Sequence, residues 1–377
     1  MTGVAVLGVG TSHFGRQPDR DLVALAWDAV REAFGDAGVE GVDAVWVGTV
    51  FAPAGVAQRV LRALGITGVP VVTVENACAS GTTAFAEACE AVRTGRYRRV
   101  LALGLEQMST AFAGAIVPEA TDPEGRTGLA LPALYAMSAA RLLHEDAVTR
   151  EQLAAVSVKN HAHAVHNPRA QYAGEYTVAQ VLDSPMIADP LTRLQCCPTS
   201  DGAAAAVLGP AAGGADEVVV RSLALKSGAA WNHRSPHVWG HDIVRDTAAA
   251  AYAQAGLDTL DDIDVGEVHD AFTVGEVVTT EALGITAPGD GGTAAASGVT
   301  ALGGKTPINP SGGLLSRGHP LGATGLAQIA EITWQLRGVA GARQVDGARL
   351  GLVETMGGGV SGLDGNACVV TLLERPR

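Results

Sequence analysis

Cys78 lies in Asn76-Ala77-Cys78-Ala79-Ser80-Gly81, between the apolar run Val69-Pro70-Val71-Val72-Thr73-Val74 and a helical pattern beginning near Thr83. A cysteine on such a strand-to-helix turn meets the positive end of the helix dipole, which favours the nucleophilic thiolate. A free cysteine can equally be a small buried hydrophobe, so two distant histidines carry the decision. His269 directly follows the apolar run Ile263 to Val268, and His319 sits in Ser316-Arg317-Gly318-His319-Pro320-Leu321-Gly322, where flanking glycines imply close backbone approach. Active-site groups of open α/β sheets collect at the carboxyl ends of the strands, which places Cys78, His269 and His319 on one edge. Thiol beside imidazole is the arrangement for covalent acyl transfer: the imidazole removes the thiol proton, and the thiolate attacks a thioester carbonyl. The second imidazole can donate to the developing oxyanion. The N–H of Cys78, with one from Gly357-Gly358-Gly359, can form another oxyanion site.

The elements that must position these groups alternate. Strand-like runs at Val4–Leu7, Ala44–Val47, Val71–Val74 and Val100–Leu103 are separated by helical patterns over Leu22–Ala37, Gly55–Leu64 and Thr83–Thr94. The alternation resumes with strand Val218–Leu225, helix Asp246–Ala255, strand Ile263–Val268, helices Gly275–Leu283 and Thr324–Leu336, and strands Arg349–Val353 and Ala367–Leu372. This pattern predicts βαβ crossovers and a mostly parallel sheet buried on both faces. The segment from Asp28 to Val45 parallels that from Thr247 to Val265, each reading helix, Ala-Gly, acidic turn, strand. A duplicated α/β unit follows, divided in the Pro/Gly/Ala-rich stretch Gly209–Ala215 into an N-terminal half, 1–213, and a C-terminal half, 214–377. The segment 109–190 has no counterpart and reads as an insertion covering a site.

At 377 residues the chain can bury a large core, and 48 glycines beside 4% aromatic residues suit a small-residue α/β interior. Five cysteines at 78, 89, 196, 197 and 368 fit neither a disulfide framework nor a metal cluster, so reduced thiols in a cytoplasm are the natural reading. No signal-peptide pattern and no membrane-spanning apolar run is visible, and a net charge of −13 argues against a nucleic-acid partner. The cluster Arg93, Arg96, Arg98 and Arg99 reads as a solvated helix end, or as a contact to the phosphates of an anionic ligand such as coenzyme A.

Taken together, the motifs resemble the thiolase superfamily, especially the branch of sterol carrier protein thiolases and lipid-transfer proteins. Asn76–Gly81 is similar to that family's nucleophile loop, Leu103-Gly104-Leu105-Glu106-Gln107-Met108-Ser109 to the strand after it, and Asn309–Gly325 to its GHPxGxTG signature. Val158-Lys159-Asn160-His161-Ala162-His163, Asn167-Pro168 and Ser184–Leu191 resemble the branch itself. The resemblance implies a duplicated βαβαβαββ fold in five α-β-α-β-α layers, a homodimer, and a coenzyme A thioester as substrate with no permanently bound cofactor. It makes Cys78 the acyl carrier and His319 its base, with His269 in place of an asparagine found in many relatives. It also implies that Ser200, in Thr199–Ala203, lies near the pantetheine arm, that Tyr135 and Met137 line the acyl pocket, and that Gly357 and Gly358 belong to the oxyanion region. A small OB-fold, zinc-binding partner is a further expectation from the branch.

One departure shapes the functional reading. Such thiolases carry a second catalytic cysteine, either before the C-terminal glycines or in a His-Asp-Cys-Phe motif. Here those places hold Thr355 and Met356, and Ala271, while Cys368 lies in a strand pattern that reads as core. The expectation is therefore a thiolase-like acyltransferase or condensing enzyme that passes an acyl group from Cys78 to a nucleophile activated by other means. A retro-aldol lyase acting on a CoA-bound side chain, and an inactive binding protein, are the alternatives. The lyase is disfavoured because no tyrosine follows Tyr252.

Overall fold

The computed structural model describes residues 3–112, 114–116, 121–257 and 259–376. The first half runs β1 (Val4–Thr11), α1 (Leu22–Ala37), β2 (Ala44–Gly48), α2 (Val56–Ala63), β3 (Val71–Val74), α3 (Ser80–Arg93) and β4 (Val100–Gln107). It continues through α4 (Pro123–Arg126), α5 (Leu131–His144), α6 (Arg150–Ala164), α7 (Val178–Leu182), β5 (Met186–Ala188) and β6 (Leu191–Thr192) to β7 (Asp201–Pro210). The second half comprises β8 (Val218–Lys226), α8 (His241–Ala255), β9 (Val265–Glu267), α9 (Thr273–Ala282), α10 (Gly291–Ala296), α11 (Gly313–Ser316), α12 (Leu321–Arg337), β10 (Leu350–Gly357) and β11 (Ala367–Glu374). Among the described residues, no helix is long and apolar enough to cross a membrane.

Nine strands pair in the order β3-β2-β4-β7-β1-β8-β11-β10-β9. Read from its two ends, the order repeats: β2-β4-β7-β1 on one side matches β9-β10-β11-β8 on the other, and β1 meets β8 at Ala5↔Val219 and Val6↔Val218. The counterpart of β3 is reduced to a single parallel bridge, Gly266↔Ile308. The sheet is mixed rather than mostly parallel, which corrects the sequence expectation. β2 runs parallel to β3 and β4, and β9 to β10, whereas β7 and β11 run antiparallel to both of their neighbours. Apolar runs do not encode direction, and the turn between β10 and β11 is too short for a crossover helix.

Successive side chains of each strand face opposite layers. In β4, Leu101, Leu103 and Leu105 join the outer core beneath α1 and α2, while Val100 and Ala102 join the core around α3 and α12. α3 and α12 pack against each other and reach strands of both halves, and α8 covers β8 and β11 from the far side. The succession is helices, strands of the first half, the α3/α12 pair, strands of the second half, helix: the five-layer α/β arrangement.

The central helices are largely buried because both of their faces are covered. α12 buries every residue except Trp334 and Arg337. It starts at Leu321 and α3 at Ser80, each three residues earlier than the sequence pattern suggests. Glycines obscured both starts. They are required by close approach: a Cβ on Gly322 would press on the carbonyls of Leu105 and Gly48, and the Gly322 carbonyl itself abuts Gly81 and Gly104. Gly322→Ala therefore separates layers in a place where backbone, not a flexible side chain, is the obstacle. A loss of about 3 kcal/mol in urea denaturation is expected, against a gain of roughly 0.5–1 kcal/mol for Gly35→Ala, where the added methyl meets nothing and α1 loses a flexible residue.

Candidate active site

The nucleophile loop is held from below. Ala77 has a left-handed backbone (φ 48), unusual for a residue with a Cβ, and is pinned by its N–H donating to Glu75 Oε1 at 2.6 Å. Ser80 Oγ donates to the Ala77 carbonyl at 2.6 Å and accepts the Asn76 N–H at 2.9 Å, while Asn76 Nδ2 donates to Thr83 Oγ1 at 3.1 Å. The small residues of this segment thus tie a tight turn to the first turn of α3 and leave Cys78 at its crest. Gly357 closes the turn from the other half: its Cα sits against the Asn76 carbonyl so closely that a Cβ has no room.

His319 reaches this turn from the start of α12. Its Nε2 is 3.3 Å from Cys78 Sγ and its Nδ1 is 2.7 Å from Thr324 Oγ1. The Thr324 hydroxyl donates to the Pro320 carbonyl at 3.0 Å, so at the imidazole it can only accept. Nδ1 therefore carries the proton, and Nε2 turns a lone pair to the thiol. A threonine five residues after the histidine is the signal the sequence contains for this tautomer, one not drawn from the motif. Ser200 accepts the His319 N–H at 2.9 Å and donates to Gln171 Oε1 at 2.5 Å, fixing the loop.

His269 stands edge-on to His319, their ring centroids 5.1 Å apart. Its backbone N–H donates to Glu354 Oε2 at 2.9 Å, and its Nδ1 has no partner among the described residues although the residue is 3% exposed. Nitrogen or sulfur atoms of Cys78, His269 and His319 all lie within 4.8 Å of one another. The three are thus brought together as the sequence suggested.

Burial governs the electrostatics. It pushes the Cys78 thiol up to about 12, against the Cys78 and Gly358 N–H groups, which favour the thiolate. It pushes His269 down to about 3 and His319 well below the usual imidazole range, where the charges of His269 and Arg317 act in the same direction. The helix dipole was expected to yield a thiolate; desolvation instead keeps thiol and imidazole neutral, poised for proton transfer during attack. The two N–H groups directed at Sγ are the donors that an oxyanion would use there.

A cavity of about 630 Å³ opens over these groups. Tyr135 and Gly358 line it with Cys78, His269 and His319, and so do residues not singled out in the sequence: Arg16, Cys197, Trp239 and Phe272. Two expectations differ in placement. Met137 lies two residues beyond Tyr135 on α5, is 63% exposed and is not part of the lining, because the helical turn carries it away from the cavity. Ser200 is buried behind His319 rather than in contact with the cavity, whose wall there is Thr199. Gly357 likewise supports the loop while Gly358 lines the opening. Cys368 is fully buried in the core beside α8, its thiol directed at Glu354 Oε1 at 3.6 Å.

Known proteins share this architecture. A family model described as the thiolase N-terminal domain matches residues 6–212, and one described as thiolase C-terminal domain-like matches residues 229–365. An acetyl-CoA acetyltransferase of Methanothermobacter thermautotrophicus is 43% identical over 372 residues, covering 95% of this chain and 97% of that protein. Sterol carrier protein 2 of Homo sapiens is 39% identical over 396 residues, covering 98% of this chain and 71% of that protein. Among solved structures, the Ltp2-ChsH2(DUF35) aldolase superposes with a TM-score of 0.83 at 26% identity, covering 99% of this chain and 97% of its own. The chain belongs to the thiolase family. At the level of class it is a thiolase-like acyltransferase, related to sterol carrier protein 2.

Two measurements examine the neutral pair. Alkylation of Cys78 by iodoacetamide is expected to rise with pH through pH 9 without an acidic plateau, because the thiol is held up and its imidazole partner is held down; a plateau reached below pH 7 would show an ion pair instead. Thr324→Val removes the acceptor that fixes the His319 tautomer, so acylation of Cys78 is expected to slow roughly 10- to 100-fold, the equivalent of an unsatisfied buried donor, with the melting temperature little changed.

Proposed function

We propose that the protein forms an acyl-enzyme on Cys78 from a coenzyme A or carrier thioester and passes the acyl group to an activated nucleophile. The observation that carries this reading is the 3.3 Å approach of a neutral His319 Nε2 to Cys78 Sγ, with the tautomer set by Thr324. Attack moves the thiol proton to Nε2 as sulfur bonds to the carbonyl carbon, and the Cys78 and Gly358 N–H groups receive the oxyanion. The leaving thiolate then takes the proton from His319. His269, neutral and edge-on to His319 in the cavity wall, can bind a second carbonyl oxygen through its ring. The lining of Phe112, Leu131, Trp239 and Phe272 suits an apolar acyl chain.

A second reading is retro-aldol cleavage of a CoA-bound side chain. It is favoured by the structural similarity to the Ltp2-ChsH2(DUF35) aldolase and by Tyr135, which lines the cavity beside Cys78 even though no tyrosine follows Tyr252. The same similarity supports a small partner subunit of the OB-fold, zinc-binding kind. We place the protein in the cytoplasm as a homodimer, each chain built from halves 1–213 and 214–377.

Incubation with a panel of acyl-CoAs and carrier-bound acyl groups is expected to add the acyl mass at Cys78 by intact mass spectrometry, and Cys78→Ala to abolish the adduct. No adduct with any donor would sink the acyl-transfer reading. Cleavage of a β-hydroxyacyl-CoA that survives Cys78→Ala would establish the lyase in its place.

A further inference from the structure

Outside the cavity, the start of α8 and the turn before it bring two imidazoles and a carboxylate to one point. His237 Nδ1 lies 2.8 Å from Asp242 Oδ1, and His241 Nδ1 lies 3.2 Å from the same oxygen. The three ligand atoms fall within 4.8 Å of one another. A tetrahedral zinc ion, about 2.0–2.1 Å from nitrogen and oxygen ligands, sets those ligands about 3.3 Å apart, so the cluster is already near the spacing such an ion requires. The rings are stacked, their centroids 3.9 Å apart and their planes 22° from parallel, which makes it unfavourable to charge both and keeps a neutral nitrogen donor available. Burial moves His241 below the usual imidazole range, with His237 acting in the same direction, and metals bind the neutral ring. The backbone beneath each ligand is fixed. Arg141 donates to the carbonyls of Ser235, Pro236 and His237, at 3.2, 2.9 and 3.0 Å, and Asp364 accepts the N–H groups of Gly240 at 2.6 Å and Ile243 at 3.0 Å. The side chains of His237 and Asp242 are 37% and 33% exposed, so an ion and its water can reach them.

We propose that His237, His241 and Asp242 form a binding site for a divalent transition metal of the zinc class, with water as the fourth ligand. Two imidazoles and one carboxylate suit such an ion better than calcium or magnesium, which take oxygen ligands. One cation already rests on the cluster: Arg245 Nη1 is 2.8 Å from Asp242 Oδ1. Arg245 is also held by Asp246 at 2.8 Å, so it can yield its place on Asp242 and keep a partner. Binding displaces that contact and releases any proton carried by the two Nδ1 atoms. The ligands bracket Trp239, so the ion ties together both ends of the turn that presents this ring to the cavity. The Trp239 Nε1–H donates to the Leu363 carbonyl at 2.8 Å, and the ring meets Tyr135 edge-on at 5.5 Å. It also fills the space that a Cβ on Gly358 would need. The metal therefore braces one wall of the cavity without lining it, and the site stands whether or not Cys78 carries an acyl group.

The test is zinc binding to the full chain carrying Cys78→Ala, which removes the thiol that with His269 and His319 forms the other cluster of ligand atoms. Isothermal titration calorimetry is expected to show a single ion bound per chain, with a rise in melting temperature. X-ray absorption of the loaded protein should show nitrogen and oxygen neighbours at about 2.0–2.1 Å and no sulfur. In the same background His237→Ala and Asp242→Asn should each weaken binding by about 100-fold, and Arg245→Gln, which removes the competing cation, should tighten it several-fold. Unchanged affinity in folded His237→Ala and Asp242→Asn proteins overturns the proposal, as does a sulfur neighbour or the absence of binding by the parent chain. If His237→Ala does not fold, Asp242→Asn, which keeps the size of the side chain, decides. Weaker binding by Arg245→Gln would place the ion elsewhere and overturn the proposal too.

Discussion

Most of the chemistry described above depends on a backbone contact at Gly322. Cys78 and His319 belong to different halves of the chain, 241 residues apart, and their 3.3 Å approach requires α12 to start directly against β2, β4 and α3. Gly322, Gly81, Gly104 and Gly48 make that possible by having no side chain at the crossing. Glu106 completes the joint from within. Its carboxylate accepts the N–H groups of Val50 at 2.8 Å, Phe51 at 3.1 Å and Gly322 at 3.3 Å, tying the loop after β2 to the start of α12. Helix position, imidazole position and thiol access are therefore one geometric constraint rather than three.

His269 is located by a different device, a buried ionic network. Lys159 Nζ pairs with Glu276 Oε1 at 2.9 Å and donates to Asn160 Oδ1 and the Ile308 carbonyl, so all three of its protons are used. Asn160 Nδ2 donates to Asp270 Oδ2 and Glu276 Oε2, each at 2.7 Å, and Asp270 Oδ1 accepts the Leu314 N–H at 2.7 Å. Alongside it, Arg317 pairs with Glu267 at 3.0 Å, and Glu267 also accepts the Ser311 hydroxyl. Buried pairs of this kind add little net stability over an apolar core, but breaking one is costly, which makes them fit to hold loops in a single arrangement. The network joins α6 to the loop after β9 and to the segment leading to His319. It gives Lys159 and Asn160 a physical role: they hold the loops that carry His269 and His319 without lining the cavity.

This division explains what could be read from the sequence. Cys78, His269 and His319 were legible because nucleophile and imidazole chemistry names its own residue types, and because turns and glycines marked their places at strand ends. The α/β alternation was legible from apolar periodicity, and the repeat from the matching helix-turn-strand segments. Strand direction was not, since β10 and β11 look alike whether parallel or antiparallel. Helix starts at Ser80 and Leu321 were hidden because glycine normally counts against a helix, while here it answers a close approach that only the folded chain creates. Met137 and Tyr135 could not be told apart without the facing of α5, and Cys197 is brought to the cavity by a hydrogen bond to Ala271 that no local pattern encodes.

Burial then accounts for the character of the site. A permanently charged thiolate and imidazolium would need solvation that the buried Cys78 and His319 do not have, so the resting groups are neutral, and in the proposed acyl transfer charge appears only as the acyl group moves. Charge that develops in such a site meets donors already in place, the Cys78 and Gly358 N–H groups. In the proposed acyl transfer, the desolvation that makes Cys78 a poor thiolate on its own is thus the condition that would make its attack effective once a thioester is bound. In that reaction it would also couple nucleophile activation to substrate entry, because the proton would reach His319 only when the carbonyl accepts the sulfur's electrons.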